Sequence, residues 1–236
     1  MAEDNKDAIR NLIFRIADDQ LIIGHRNSEW TGLGPILEED IAFSSMAQDK
    51  LGHALALYTL LHEIGEKDPD TLAFNREEKD YVCCHFVEYP IGEYDFSLMR
   101  HFLFDSSEAL RFGMLAESSF EPLAKIARKF RGELRYHKAR MQSALNECMP
   151  LALGIFEPSD YELALQNEGI FPGEKFLQDA WIDHITPILN AGELRMPDVG
   201  NCTPSYGGRA GFHTEFLKPL IDEMSEVYKI DPKAEW

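Results

Sequence analysis

Two pentads, Asp49-Lys50-Leu51-Gly52-His53 and Glu133-Leu134-Arg135-Tyr136-His137, carry side chains at nearly the spacing needed to hold a pair of iron ions. A glutamate three residues before a histidine puts both ligands on one helix face. Two such pairs, with one more glutamate from each of two other helices, complete a di-iron site inside a bundle. Here Lys50 stands three residues before His53, and Leu134 three before His137. An ammonium and an isobutyl group cannot bind a dication, which requires deprotonated oxygen or nitrogen donors. The other two helices would offer Asp18 or Asp19 and Asp105 or Glu108, and an aspartate is shorter than a glutamate by a methylene. The pattern predicts a degenerate di-iron site at Asp18, Lys50, His53, Asp105, Glu133, Leu134 and His137, with no metal held by this chain and no catalytic residue. Two readings of Lys50 stand side by side: it supplies the charge that iron would have supplied, against Asp18, Asp105 or Glu133, or it is, like Glu133, an ordinary solvated side chain. Read by themselves, His53 and His137 are equally ordinary half-buried histidines. Asp49 and Glu133 lie four residues before the histidines, and that spacing also shares a helix face. A self-sufficient metal-dependent oxidoreductase built on His53 and His137 is therefore the alternative, and a ferritin-like storage protein a third reading.

Helices must position these residues, and the apolar period supplies them. Ile9, Leu12, Ile13, Ile16, Ile22 and Ile23 predict a helix from Lys6 to about Ile23, and a second runs from Ile36 to Ile64 before Gly65. A loop around Lys67 to Asp70 is expected to lead to a short helix near Arg76 to Phe86. Further helices are predicted from Phe96 to Ala116, from Glu121-Pro122 through His137 and on towards Cys148, near Asp160 to Gln166, over Lys175 to Leu189, and from Thr214 to Tyr228. The segment Glu193 to Gly208 reads as an ordered loop. No alternation of useful length predicts a strand, so the fold class is all-α. A single domain over 1–236 is expected, with a four-helix bundle core at about 6–148, additional peripheral helices and a helical extension at about 159–236.

Composition excludes several partners. The 236 residues are 44% hydrophobic and 27% charged, which is ordinary for a globular chain. Forty-one acidic residues against 23 basic ones give a formal charge of -18, a field that repels phosphate backbones and anionic lipid. Nucleic acid and membranes are not expected partners. The acidic start Met1-Ala2-Glu3-Asp4-Asn5 lacks the basic and apolar regions of a secretory signal, so a cytoplasmic location is expected. Cys83, Cys84, Cys148 and Cys202 show no zinc or redox spacing and are expected to be buried, reduced thiols.

A family resemblance rests on seven stretches. They are Arg26-Asn27-Ser28-Glu29-Trp30, Leu37-Glu38-Glu39-Asp40-Ile41-Ala42, Asp70-Thr71-Leu72-Ala73-Phe74 with Arg76-Glu77, and Glu88-Tyr89-Pro90-Ile91-Gly92. Arg100-His101-Phe102-Leu103-Phe104-Asp105, Arg135-Tyr136-His137 and Gly211-Phe212-His213-Thr214-Glu215 complete the set. Through them the chain resembles, over nearly its whole length, the C subunits of the ring 1,2-phenylacetyl-CoA epoxidases, bacterial multicomponent mono-oxygenases with ferritin-like subunits. The resemblance implies phenylacetate catabolism and a structural role beside a di-iron catalytic subunit that activates dioxygen. It also implies other small subunits and a separate reductase that passes electrons from NADPH through flavin and iron-sulfur groups. By analogy, Asp80, Tyr81, Val82 and Cys83, with Leu163, Ala164 and Leu165, are expected to contact the phenylacetyl-CoA thioester. The sequence departs from the family where His137 runs straight into Lys138-Ala139-Arg140-Met141-Gln142, where family members continue the helix and return through a hairpin.

Overall fold

Apolar residues three and four apart fix the course of the chain. A computed structural model, which describes residues 3–130, 142–191 and 194–230, contains α1 (Glu3–Ser28), α2 (Leu37–Glu63), α3 (Pro69–Phe74) and α4 (His85–Glu88). These are followed by α5 (Tyr94–Leu115), α6 (Glu121–Phe130), α7 (Gln142–Leu153), α8 (Glu162–Asn167), α9 (Glu174–Ala191), α10 (Leu217–Met224) and α11 (Glu226–Ile230). There is no strand among the described residues, so the fold is all-α, consistent with a ferritin-like protein. No described helix is long and apolar enough to cross a membrane.

The helices form two compact units, and α1 contributes residues to both. The first comprises Leu12–Ile91 and Gly207–Trp236, the second Met1–Asn11 and Gly92–Tyr206. In the first unit α2 begins with Glu38, Glu39 and Asp40, whose charges suit a helix N-terminus, and it is followed by Gly65 at φ 111°. Steps of four and three along α2 bury Phe43, Ala47, Lys50, Ala54, Leu57 and Leu61 on one face. Lys50 thus interrupts an otherwise apolar line. The partner of this face is α1, which approaches closely at Gly24. A Cβ there would lie 3.1 Å from the Leu51 side chain and 3.2 Å from Lys50 Cβ. Six residues earlier on α1, Asp18 meets Tyr58, so the two helices run antiparallel.

Between residues 64 and 91 the chain departs from the expected pattern. Asp68 caps α3 by accepting from Thr71 N at 2.9 Å, and Pro69 occupies the first helical position, so a helix stands where a loop was expected. The predicted helix near Arg76 to Phe86 is instead a short 3-10 turn at Glu78–Asp80, an extended run, and the single turn of α4. Val82 N and Cys84 N donate to Asp18 and Asp19 instead of to a helix ladder. The predicted last helix is divided in two at Ser225, whose hydroxyl bonds back to the Ile221 carbonyl at 2.6 Å.

The second unit is organised on α5, which packs against α6, α7 and α9. Trp181 of α9 is fully buried and donates its indole N–H to Leu103 O and Ser106 Oγ, at 3.1 and 2.9 Å. Arg111 of α5 joins Glu108, at 2.9 Å, to Glu174 of α9, at 2.7 Å, with all three side chains 1% exposed. Of the four thiols, Cys83, Cys84 and Cys148 are buried and Cys202 is half-buried. Burial pushes the Cys148 thiol up to about 12.

Candidate functional site

The first unit contains a line of buried ionic groups that starts on α1. Asp18 accepts on Oδ1 from Arg76 Nη2 at 2.5 Å and Tyr58 OH at 2.7 Å, and on Oδ2 from Arg76 Nη1 at 3.1 Å and Val82 N at 2.8 Å. Arg76 also lies over the Tyr81 ring, 4.0 Å from its centroid. Burial opposes the Arg76 charge, but Asp18 together with Tyr58 and Tyr81 outweighs it, and the guanidinium holds its proton more firmly than usual. Burial and the Asp18 charge together push the Tyr58 hydroxyl well up. One residue on, Asp19 accepts from Arg209 Nη2 at 2.7 Å, from Arg209 Nη1 at 2.9 Å and from Cys84 N at 2.8 Å. Both aspartates are thus closed by guanidinium groups, which do not deprotonate in proteins.

Glu88, at the end of α4, is closed differently. His213 Nδ1 lies 2.8 Å from its Oε1, and Cys83 Sγ lies 3.7 Å from the same oxygen. Its other oxygen, Oε2, accepts from Thr214 N and Thr214 Oγ1, at 2.7 and 2.5 Å. Arg26 donates to the Glu88 carbonyl, not the carboxylate, from Nε at 3.0 Å and Nη2 at 2.7 Å, and also to Phe216 O. His213 Nε2 faces the Tyr81 carbonyl at 3.0 Å and must donate to it, because a carbonyl only accepts. Burial disfavours a charged His213 ring, yet the hydrogen bond and charge of Glu88 outweigh it and raise its pKa. Burial first, then Glu88, pushes the Cys83 thiol well up, so it is protonated in this environment.

The predicted positions are distributed as follows. Lys50 and His53 both lie on the buried face of α2, 2% and 3% exposed. Asp18 is buried too, but the α1–α2 register sets it opposite Tyr58, whereas Lys50 faces Gly24. Six residues of α1 separate the two levels, about 9 Å. For Asp18 the expected neutralisation by Lys50 is corrected: its cation is Arg76. Asp105 belongs to the second unit, on α5, where His101 Nε2 lies 2.8 Å from its Oδ2. Glu133, Leu134 and His137 lie outside the described residues.

Of the expected thioester contacts, Tyr81, Cys83 and Leu165 are buried, Val82 and Ala164 are half-buried, and Asp80 and Leu163 are exposed. Tyr81 donates its hydroxyl to Ala73 O at 2.6 Å. Sequence reasoning missed Arg76, Glu88, Arg209 and His213 as working side chains. Three of them stand in stretches that carry the family resemblance, and their pairing over 58 to 190 residues is set by the fold.

A family model described as phenylacetic acid catabolic protein matches residues 1–140 and 138–236. The chain belongs to this family. Among curated relatives, the C subunit of the 1,2-phenylacetyl-CoA epoxidase of Escherichia coli (strain K12) is 30% identical over 243 residues, covering 94% of this chain and 96% of the relative. The resemblance read from the seven sequence stretches is therefore shown. The two matched stretches overlap at 138–140, directly after His137.

Proposed function

We propose that this chain is the C-type subunit of a phenylacetyl-CoA epoxidase, a structural partner of the di-iron subunit with no active site of its own. One observation carries the reading. Lys50, where a di-iron helix carries its glutamate, is buried in the apolar line of α2 beside His53. Two irons do not fit such a donor set, and the nearby α1 carboxylates are already closed by Arg76 and Arg209. The same reading assigns iron to the sister subunit and the NADPH-linked electron path to the reductase. For contact with the acyl-CoA the reading keeps the exposed member on each unit taken by itself, Asp80 on the first and Leu163 on the second, because Tyr81, Cys83 and Leu165 are packed inside.

The decisive experiment is anaerobic loading of the purified chain with ferrous iron, beside a Lys50→Glu, Leu134→Glu double variant. The native chain is expected to hold no pair of irons, and the variant to gain iron because two carboxylates are restored. Two tightly held irons in the native chain would overturn the proposal and favour the self-sufficient enzyme.

Pairing is supported by the outer face of α2. Leu37, Ile41 and Leu55 are 68%, 56% and 55% exposed, and their spacing puts them on one helix face with Ser45, Gln48 and Gly52. Leu33 and Ile36 extend the apolar surface at its start. Ile41→Glu is expected to leave the urea midpoint of the isolated chain nearly unchanged, within about 0.5 kcal/mol, because the residue is exposed. Co-purification with the sister subunit should fall sharply, since a buried unpaired carboxylate is costly at an interface. Undiminished pull-down of the sister subunit by Ile41→Glu would remove this face from the interface.

A further inference from the structure

We propose that Cys83, Glu88 and His213 form a binding site for one thiophilic divalent cation, zinc by the nature of its donors. The three candidate ligand atoms, Sγ, Oε1 and Nδ1, lie within 4.8 Å of one another. Their separations are 2.8 Å from nitrogen to oxygen, 3.7 Å from sulfur to oxygen and 4.0 Å from sulfur to nitrogen. Tetrahedral zinc, with bonds of about 2.3 Å to sulfur and about 2.0–2.1 Å to nitrogen or oxygen, spaces its donors by about 3.3 Å and about 3.5 Å. The triangle already has that size, and no side needs to change by more than about half an ångström to meet those bond lengths.

The surroundings hold each donor in the pose that ligation requires. His213 Nε2–H is fixed on the Tyr81 carbonyl, the outer bond a ligating histidine commonly makes, so Nδ1 is the nitrogen turned to the cluster. Glu88 Oε2 is fixed by the main-chain and side-chain donors of Thr214, which leaves Oε1 for a cation. The contrast with Asp18 and Asp19 is chemical. Their partners are guanidinium groups, which cannot yield to a metal, whereas the partners of Glu88 Oε1 become ligands on losing a proton.

Binding balances in protons and charge. The cation forms bonds to Sγ, Nδ1 and Oε1 while the Sγ–H and Nδ1–H protons leave to solvent, and nothing is oxidised or reduced. A dication with one thiolate, one carboxylate and a neutral imidazole makes a neutral assembly, which suits side chains that are 0% exposed. The thiolate selects against magnesium and calcium. With three protein donors, the fourth position is left to water. The site would fasten the run before α4 to the C-terminal segment, across 130 residues of sequence.

The test is metal analysis of the full chain, expressed with zinc and purified without chelator, followed by cobalt substitution. One zinc per chain is expected, and cobalt should give an intense near-ultraviolet sulfur-to-metal band, since Cys83 is the thiol in the set. Cys83→Ser should abolish that band, and both it and His213→Gln should weaken zinc binding by at least about tenfold in chelator competition. Far-ultraviolet circular dichroism establishes that the variants are folded. If neither variant folds, the cobalt spectrum of the unaltered chain decides alone. No cobalt–thiolate band, or zinc retained equally by the folded variants, would overturn the proposal.

Discussion

Arg76→Met is expected to lower the unfolding free energy of the chain by about 3–5 kcal/mol, the cost of leaving a buried charge without its partner. Asp18 is fully buried and takes both terminal guanidinium nitrogens, so methionine keeps much of the stem packing while stranding the carboxylate. Arg76 also bonds the Leu72 and Asp80 carbonyls and lies over Tyr81, so the residues between α3 and α4 should loosen with it. Urea denaturation measures the effect as a lower midpoint with little change of slope. A double variant, Asp18→Leu with Arg76→Met, should recover a large part of the loss, because apolar replacement of both partners removes the stranded charge. A single variant as stable as the parent would show that water reaches Asp18.

The same pair shows where sequence patterns stop being informative. The long helices are legible because their apolar residues recur over many turns: α2 and α5 end within two residues of expectation. Short elements depend on contacts too distant to read. The run after Arg76 has the composition of a helix, but Val82 N and Cys84 N are drawn to Asp18 and Asp19, 64 and 65 residues away, and the segment is extended. The start of α3 was available from Asp68-Pro69, a capping acid followed by the residue that best fits a first turn. Of the candidate site, that Lys50 and His53 share one face of α2 was legible from spacing alone. That Lys50 faces Gly24, about 9 Å along the helix from Asp18, follows only from the helix–helix register. Arg209 and His213 meet their carboxylates across 190 and 125 residues, separations at which no periodicity is informative.

Gly208→Ala is expected to cost about 3 kcal/mol or more, at the upper end for overpacking, because the added methyl meets main chain and not a movable side chain. Its Cβ would lie 2.2 Å from the Cys83 carbonyl oxygen and 3.2 Å from His85 Cδ2. The segment can relieve that clash only by moving outward, and the residues it carries are the ones that close the site. Arg209 is next in sequence and bonds Asp19, and His213 and Thr214 follow on Glu88. Displacing them would leave two buried carboxylates short of donors, which couples a single methyl to the ionic interior of the first unit. Gly52→Ala is the control. That glycine is exposed in mid-helix with nothing within 4 Å of an added Cβ, so alanine should stabilise α2 by about 1 kcal/mol. Thermal unfolding of the two variants should therefore move in opposite directions. If Gly208→Ala melts with the parent, the close approach of the C-terminal segment to Cys83 does not contribute to stability, and the arginine and histidine it carries must be held by other means.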